Sequence, residues 1–290
     1  MNILILGGTR YIGKHIISSL LSKNYNVTIA TRGKTPDPFG DLINRIVINE
    51  RNDIIDIQEK LKGRFFDIII DNLAFDSNNV KILLENIECK KYLFTSSAAV
   101  YDKHINTVET DFSPFDYPIK WVWRDEGISF REGKRLAEAT VFQYYNKFNP
   151  IAVRLPFVIG KDDYTKRMYY YIYNIINKKP LNINNMDNRI SFVNSQEAGK
   201  FISFLIGTNY VGPINGCNNG TVKLRQLIEY VEDKTQVKAI YDSNSEPAPY
   251  NDQPDHYISN TLALDLGFAF TDLSNWIYKL IDYYIAQVER

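Results

Sequence analysis

The chain has 290 residues, room for one large domain or two small ones. Hydrophobic residues make up 44% and charged residues 23%, as in ordinary globular proteins. The 34 basic side chains balance 34 acidic ones, which argues against a dominant electrostatic pull toward nucleic acid or an anionic membrane.

The first half alternates short apolar runs with amphipathic stretches. Asn2–Leu6 reads as a buried strand. Residues 14–21 read as a helix, with Ile16, Ile17, Leu20 and Leu21 on one face. Further strands are expected at 27–30, 45–48, 66–71, 92–96 and 151–155, with a long helix over 130–145. Strands alternating with helices predict a doubly wound parallel α/β sheet, Rossmann-like, over residues 1–156. Beyond it the alternation weakens. Residues 164–176, 196–205, 224–232 and 272–287 read as helices, 212–221 as loop or short strand, and 245–254 as a Pro-rich connection. We expect residues 157–290 to form a smaller C-terminal α/β lobe, with some exchange of elements back to the first domain. A cleft between the two is the default ligand site.

Two cysteines, Cys89 and Cys217, lie far apart and form no CxxC or Cys/His cluster, so buried free thiols are expected. His15, His104 and His256 have no spaced metal-binding partner and read as surface or structural residues, so no metal is expected. No basic leader with an apolar core opens the chain, and no apolar run approaches the ~20 residues of a membrane span. The expected setting is the cytoplasm.

The run GGTRYIG (7–13) falls between the first strand and the first helix. A glycine turn there lets backbone amides approach a pyrophosphate at a helix N-terminus. Gly7 supplies the turn, Gly13 close helix–strand packing, and Arg10 stands where the usual spacing has a glycine. The second strand ends in Thr31, Arg32, Gly33 and Lys34, with no acid for the ribose hydroxyls of NAD. Arg32 and Arg10 suit a 2′-phosphate instead, so NADP(H) is the expected cofactor and NAD the alternative.

These motifs, taken with TSSAAVY (95–101), the Lys134/Glu138 helix, VRLPFVIG (153–160), ISFVNSQEA (190–198) and LGF (266–268), resemble the extended short-chain dehydrogenase/reductases, the nucleotide-sugar epimerase/dehydratase group. The GGTR turn and DNLA (71–74) look like a sub-branch that includes the chloroplast stem-loop-binding proteins. The resemblance implies cofactor contacts from Gly7, Thr9, Arg10, Tyr11, Ile12, Gly13, Arg32, Glu50, Arg51, Leu73, Ala74, Lys134, Pro156 and Val158, with Phe157 beside the nicotinamide. It also implies a nucleotide-sugar substrate and a homodimer paired through the helix of Lys134.

The family's chemistry uses a Ser/Thr, a Tyr and a Lys. By position Ser97 is the serine and Lys134 the lysine, but Phe130 occupies the tyrosine position. Residues 130 and 134 share a helix face, so the geometry survives without the proton. A benzyl ring does no acid–base work, which is worth ~10²–10⁴ in rate. Activity is therefore expected to be impaired, absent or rerouted through Tyr101, Tyr117 or His104. The acidic pair of the family's dehydratases is replaced by Ala98 and Ala99, which favours epimerisation or 4-ketoreduction over dehydration. In the C-terminal half Asp162, Asp163, Tyr164 and Arg167 are placed to meet sugar or diphosphate. The resemblance implies substrate contacts from Ser97, Tyr101 and Arg189. Of the usual acids of 190–198 only Glu197 remains. Tyr169–Tyr171 read as helix packing, and the pairs at 90–91 and 178–179 as solvated turns. The opposing reading is a non-catalytic or RNA-associated protein of the same fold; the neutral charge weighs against RNA.

Overall fold

The computed structural model describes residues 1–102, 105–251 and 253–289. The strands are β1 Asn2–Leu6, β2 Asn26–Thr31, β3 Asn44–Val47, β4 Phe65–Asp71, β5 Glu88–Ser97, β6 Ile151–Leu155, β7 Phe157–Ile159, β8 Pro180–Leu181, β9 Arg189–Ile190, β10 Phe192–Asn194, β11 Gly212–Asn215, β12 Val222–Lys223 and β13 Ile240–Tyr241. The helices are α1 Ile12–Leu21, α2 Ile54–Leu61, α3 Ser77–Leu84, α4 Phe130–Tyr144, α5 Arg167–Ile176, α6 Ser195–Leu205, α7 Leu224–Thr235, α8 Thr261–Asp265 and α9 Ile277–Val288.

Seven strands form one parallel sheet in the order β11-β6-β5-β4-β1-β2-β3. Successive side chains of β1 go to opposite faces. Ile3 and Ile5 pack with Ile16, Ile17 and Leu20 of α1 and with Phe201, Ile202 and Leu205 of α6. Leu4 and Leu6 pack on the other face with Val141 and Phe142 of α4 and the apolar residues of α2 and α3. Strand order reverses between β1 and β4, which opens a crevice at the strands' carboxyl ends.

The second half of the chain returns to this layer. Residues 212–215 are the sheet's seventh strand, and α6 packs along α1. Gly199 permits that contact: a Cβ there would lie 2.5 Å from the His15 Cβ. The remainder surrounds a separate apolar core of α5, α7 and α9, where Tyr171 is buried and Tyr169 and Tyr170 are half-buried.

One expectation, the solvated turn at residues 90–91, is corrected, and two regions that carried no expectation are defined. Helices α2 and α3 were not anticipated: each has 8 residues and a carboxylate at its N-cap, Asp53 and Asp76, so the signal is local capping more than long periodicity. Residues 90–91 lie inside β5, where Lys90 pairs with Asp67 and Lys91 donates to the Thr208 carbonyl. Residues 113–124 lie against α3 and α4: Ser77 Oγ donates to the Lys120 carbonyl, and Gln143 donates to the carbonyls of Pro114 and Tyr117. Cys89 and Cys217 are buried free thiols. Among the described residues no helix is long and apolar enough to cross a membrane, and no cluster of metal-ligating side chains occurs.

Candidate functional site

The corner takes a backbone path that only glycine adopts freely where the pattern places glycine. Gly7 and Gly8 have φ of 91° and 114°, values that L side chains rarely adopt. A Cβ on Gly13 would sit 2.5 Å from the Gly8 Cα, so only glycine lets α1 close on this turn. Tyr11 has φ of 53°, and its hydroxyl donates to the Val158 carbonyl. That bond ties the corner to β7. Burial raises the Tyr11 hydroxyl far above a phenol's ordinary pKa, with Asp163 adding to the shift.

Around the corner, Arg10 donates to the Thr35 hydroxyl at 3.0 Å and lies 5.8 Å from the centre of the Tyr164 ring. Arg32 and Glu50 are exposed, and Thr9 is half-buried. Arg51 pairs with Asp71 at the end of β4, leaving its Nε and Nη1 buried and unpartnered. Asp71 also accepts from the Tyr92 hydroxyl and from the amides of Leu73 and Ala74, which fixes the DNLA turn. Leu73 is exposed and sits beside Gly7. Asn72 accepts from Thr95 at 2.7 Å, and its own Nδ2 is buried without a partner. Buried donors at the ends of β3 and β4, beside an open glycine turn, fit a ligand rich in phosphate and ring-nitrogen acceptors.

Helix α4 starts with Ser129 as N-cap, its Oγ accepting from the Glu132 amide at 3.1 Å. Gly133 lets the helix approach Phe75, because a Cβ there would come within 2.5 Å of that ring. The approach buries Lys134, whose Nζ donates to the carbonyls of Ala74 at 2.7 Å and Thr95 at 2.8 Å. A third N–H remains. Burial pushes its pKa down to about 8, against the pull of Asp71 and Glu138. Phe130 is 50% exposed, its ring tilted on Phe75 at 5.6 Å and 5.9 Å from the Lys134 Nζ. Ser97 caps the turn after β5; its Oγ accepts from the Ala99 amide at 3.1 Å, which leaves the hydroxyl hydrogen to be donated.

Behind these residues lies a fully buried ion pair. Arg154 and Glu138 meet at 2.6 Å, both side chains 0% exposed. Ser96 donates to the same carboxylate. Arg154 also donates to the Tyr101 hydroxyl and to the carbonyls of Glu109 and Phe112. Tyr101 donates in turn to Asn215 on β11 at 2.7 Å. Every donor of the guanidinium is thereby used.

One cavity of about 510 Å³ joins these features. Its lining takes in Tyr11, Ile12, Asn72, Thr95, Ser97, Tyr101, Phe130 and Lys134 from the first half. Leu155, Pro156, Phe157 and Val158 follow, and Thr165, Arg167, Ser191, Gln253 and His256 complete the other wall. Isolated bridges from Ile190 to His256 and from Thr107 to Ile258 hold the segment around 256 across the opening.

Several expected residues are placed elsewhere. Arg189 forms a bidentate pair with Asp255 and stacks on Tyr257, outside the cavity lining. Asp162 is bound by His15 at 3.0 Å and by Ser195 at 2.7 Å, so His15 is structural. Asp163 is buried under Thr165, and Tyr164 packs on Tyr11. Tyr117 donates to Glu132 at 2.8 Å and does not line the cavity. Glu197 is structural, held to Asn218 and Thr271. His104 lies outside the described residues. His256, read as surface or structural, faces the cavity. Arg131, Thr165, Ser191, Gln253 and His256 were missed; only Arg131, next to Phe130 on α4, carried a local signal.

Known proteins share this architecture. UDP-glucose 4-epimerase of Thermus thermophilus, in complex with NAD, superposes with a TM-score of 0.73 at 14% identity, covering 98% of this chain and 99% of that one. A Tyr-to-Phe mutant of UDP-glucuronic acid 4-epimerase from Bacillus cereus, in complex with a fluorinated UDP-glucuronic acid and NAD, gives 0.74 at 18% identity over 99% and 100%. By sequence, the chloroplast stem-loop binding protein of 41 kDa b from Arabidopsis thaliana is 32% identical over 114 residues, 35% of this chain and 30% of that protein. The decarboxylating sterol-4-alpha-carboxylate 3-dehydrogenase of Dictyostelium discoideum is 27% identical over 187 residues, 56% of this chain and 55% of that protein. The chain thus spans about a third to about half the length of these curated relatives. Residues 3–216, from β1 through β11, match the NAD dependent epimerase/dehydratase family, and the chain belongs to it.

Proposed function

We propose that the protein binds NADP(H) across the glycine corner and a nucleotide sugar in the adjoining cavity, as a 4-epimerase- or 4-ketoreductase-like protein whose turnover is curtailed at Phe130. One observation carries the reading: Ser97, Phe130 and Lys134 line the same cavity as Tyr11 and Ile12 of the corner.

The amides of the corner and the α1 N-terminus would hold the pyrophosphate. Arg10 and Arg32 would meet a 2′-phosphate, and Leu73 and Ala74 the adenosine side. Bound there, the dinucleotide supplies the hydride acceptor or donor. The third N–H of Lys134 is available to the nicotinamide ribose. The Ser97 hydroxyl can donate to the reacting sugar oxygen, and Ala98 and Ala99 offer it no acid or base. Phe130 fills the space of a proton carrier without moving a proton. Tyr101 is a poor substitute: its hydroxyl is committed to Asn215 and Arg154, and burial pushes its pKa up.

Titration of the chain with NADPH and NADH, followed by fluorescence, tests the first half; Arg32→Gln should weaken NADPH about ten-fold and leave NADH nearly unchanged. Phe130→Tyr tests the second. Assayed with UDP-glucose and UDP-glucuronic acid, it should raise turnover by ~10²–10⁴. NADPH binding with no turnover in either form would favour a pseudoenzyme, and an absence of any dinucleotide binding would sink the reading. The relative named for stem-loop binding favours a second reading, an RNA-associated protein, which a salt-dependent RNA shift assay separates. We place the protein in the cytoplasm as a homodimer, and sizing of the purified chain tests the latter.

A further inference from the structure

The charge of the cavity is unbalanced. Among its described lining residues Arg131, Lys134 and Arg167 are cations and Asp102 is the carboxylate. Lys134 is bound to two backbone carbonyls, and Arg167 opens α5 on the C-terminal wall. Arg131 stands at the reacting end, next to Phe130 in the first turn of α4. Its ion pair is weak. The Nη1 of Arg131 lies 3.5 Å from Asp102 Oδ1, while Arg135 takes the same oxygen at 2.9 Å. Asp102 is 68% exposed, so one carboxylate in high dielectric is shared between two guanidiniums. Asp102 therefore offsets the Arg131 charge only in part, and the positive end of α4 adds to the field there.

We propose that Arg131 selects a sugar carrying a carboxylate near its reacting carbon, a uronic acid rather than a neutral hexose. This rests on the nucleotide-sugar reading above. The diphosphate leaves such a cation unexplained if it is bound on the C-terminal wall by Arg167, whereas a sugar carboxylate would meet the planar fork of Arg131 in bidentate geometry. Ala98 and Ala99 put no acid at their positions, and Asp102, the carboxylate that does line the cavity, is drawn to Arg135 at 2.9 Å and turned largely to solvent, which leaves the Arg131 fork open to a second carboxylate. Arg131 is 45% exposed, and solvent screening holds the effect to about ten-fold rather than a hundred-fold.

The test measures binding of UDP, UDP-glucose and UDP-glucuronic acid to the full chain saturated with NADP⁺, by calorimetry. The wild type should prefer UDP-glucuronic acid over UDP-glucose by about ten-fold. Arg131→Gln should bring that ratio close to one, and Arg131→Lys should retain part of it. Arg131 is solvent-facing, so neither variant endangers folding. A wild-type ratio of one, or a preference that survives Arg131→Gln, overturns the proposal. So does an equal loss of UDP and UDP-glucuronic acid affinity, which would make Arg131 a diphosphate ligand. If none of the three binds while the dinucleotide does, the nucleotide-sugar reading fails and this inference goes with it.

Discussion

The cavity wall that bears Lys134 and Ser97 rests on buried charge, with Arg154 and Glu138 fully enclosed and every guanidinium donor engaged. Among the described residues the facing wall has no fully enclosed ion pair of this kind. It meets the first through His15 and Asp162, a seam whose side chains are 27% and 22% exposed, through the Tyr11 hydroxyl on the Val158 carbonyl, and through the isolated bridge from Thr107 to Ile258. The difference separates two tasks. A wall that positions a lysine and a serine must not move, and a dry, fully bonded network allows no alternative arrangement. A wall held by partly exposed polar contacts can shift at small cost, because water competes for them.

Three substitutions would break or sharpen this contrast. Glu138→Gln should have the largest effect, because it leaves Arg154 buried without its counter-charge; a loss of about 3–5 kcal/mol in urea unfolding is expected. A loss under about 1 kcal/mol would mean that the first wall is not held by that pair.

Lys134→Met comes next and is read as a pH profile. Burial lowers the folded-state pKa of Lys134 to about 8, so above that pH the unfolded chain holds a proton that the folded chain has released. Wild-type stability should then rise, relative to Lys134→Met, as pH climbs from about 8 toward the unfolded value of a lysine. The gain should be about 3 kcal/mol, and the difference should be flat below pH 7. A difference independent of pH would show that the ammonium is not buried in solution.

Asp162→Asn should cost least, about 1 kcal/mol at pH 7. Burial would raise the Asp162 pKa, but the bonds from His15 and Ser195 outweigh it and lower it. A lowered folded pKa means that the stabilisation is present above the unfolded value and is lost on acidification. The gap between wild type and variant should therefore close as pH falls below about 4. A cost matching that of Glu138→Gln would erase the distinction between the walls.

The elements with a strong periodic signal sit where the residue pattern puts them. Strand β1 and strand β6 match to the residue, and α4 begins at Phe130 as expected. The short capped helices α2 and α3 did not announce themselves, since two turns hold too few apolar repeats to stand out. The site divides in the same way. Gly7, Gly13, Ser97 and Lys134 each belong to a local motif; the glycines form the turn after β1, and Ser97 and Lys134 line the cavity. Arg189 had the right chemistry, but Asp255, 66 positions away, claims its guanidinium.

Chain-local physics therefore settled the alternation of strands and helices, the glycine turn and the one-turn spacing that sets a phenylalanine above a lysine. Each of these follows from backbone geometry over a few residues. The burial of Lys134, the engagement of Tyr101 by Arg154 and the facing of Arg131, Arg167 and His256 into one cavity are products of long-range packing. They depend on which distant side chains reach a charge first, and on how far water is excluded once the two halves close.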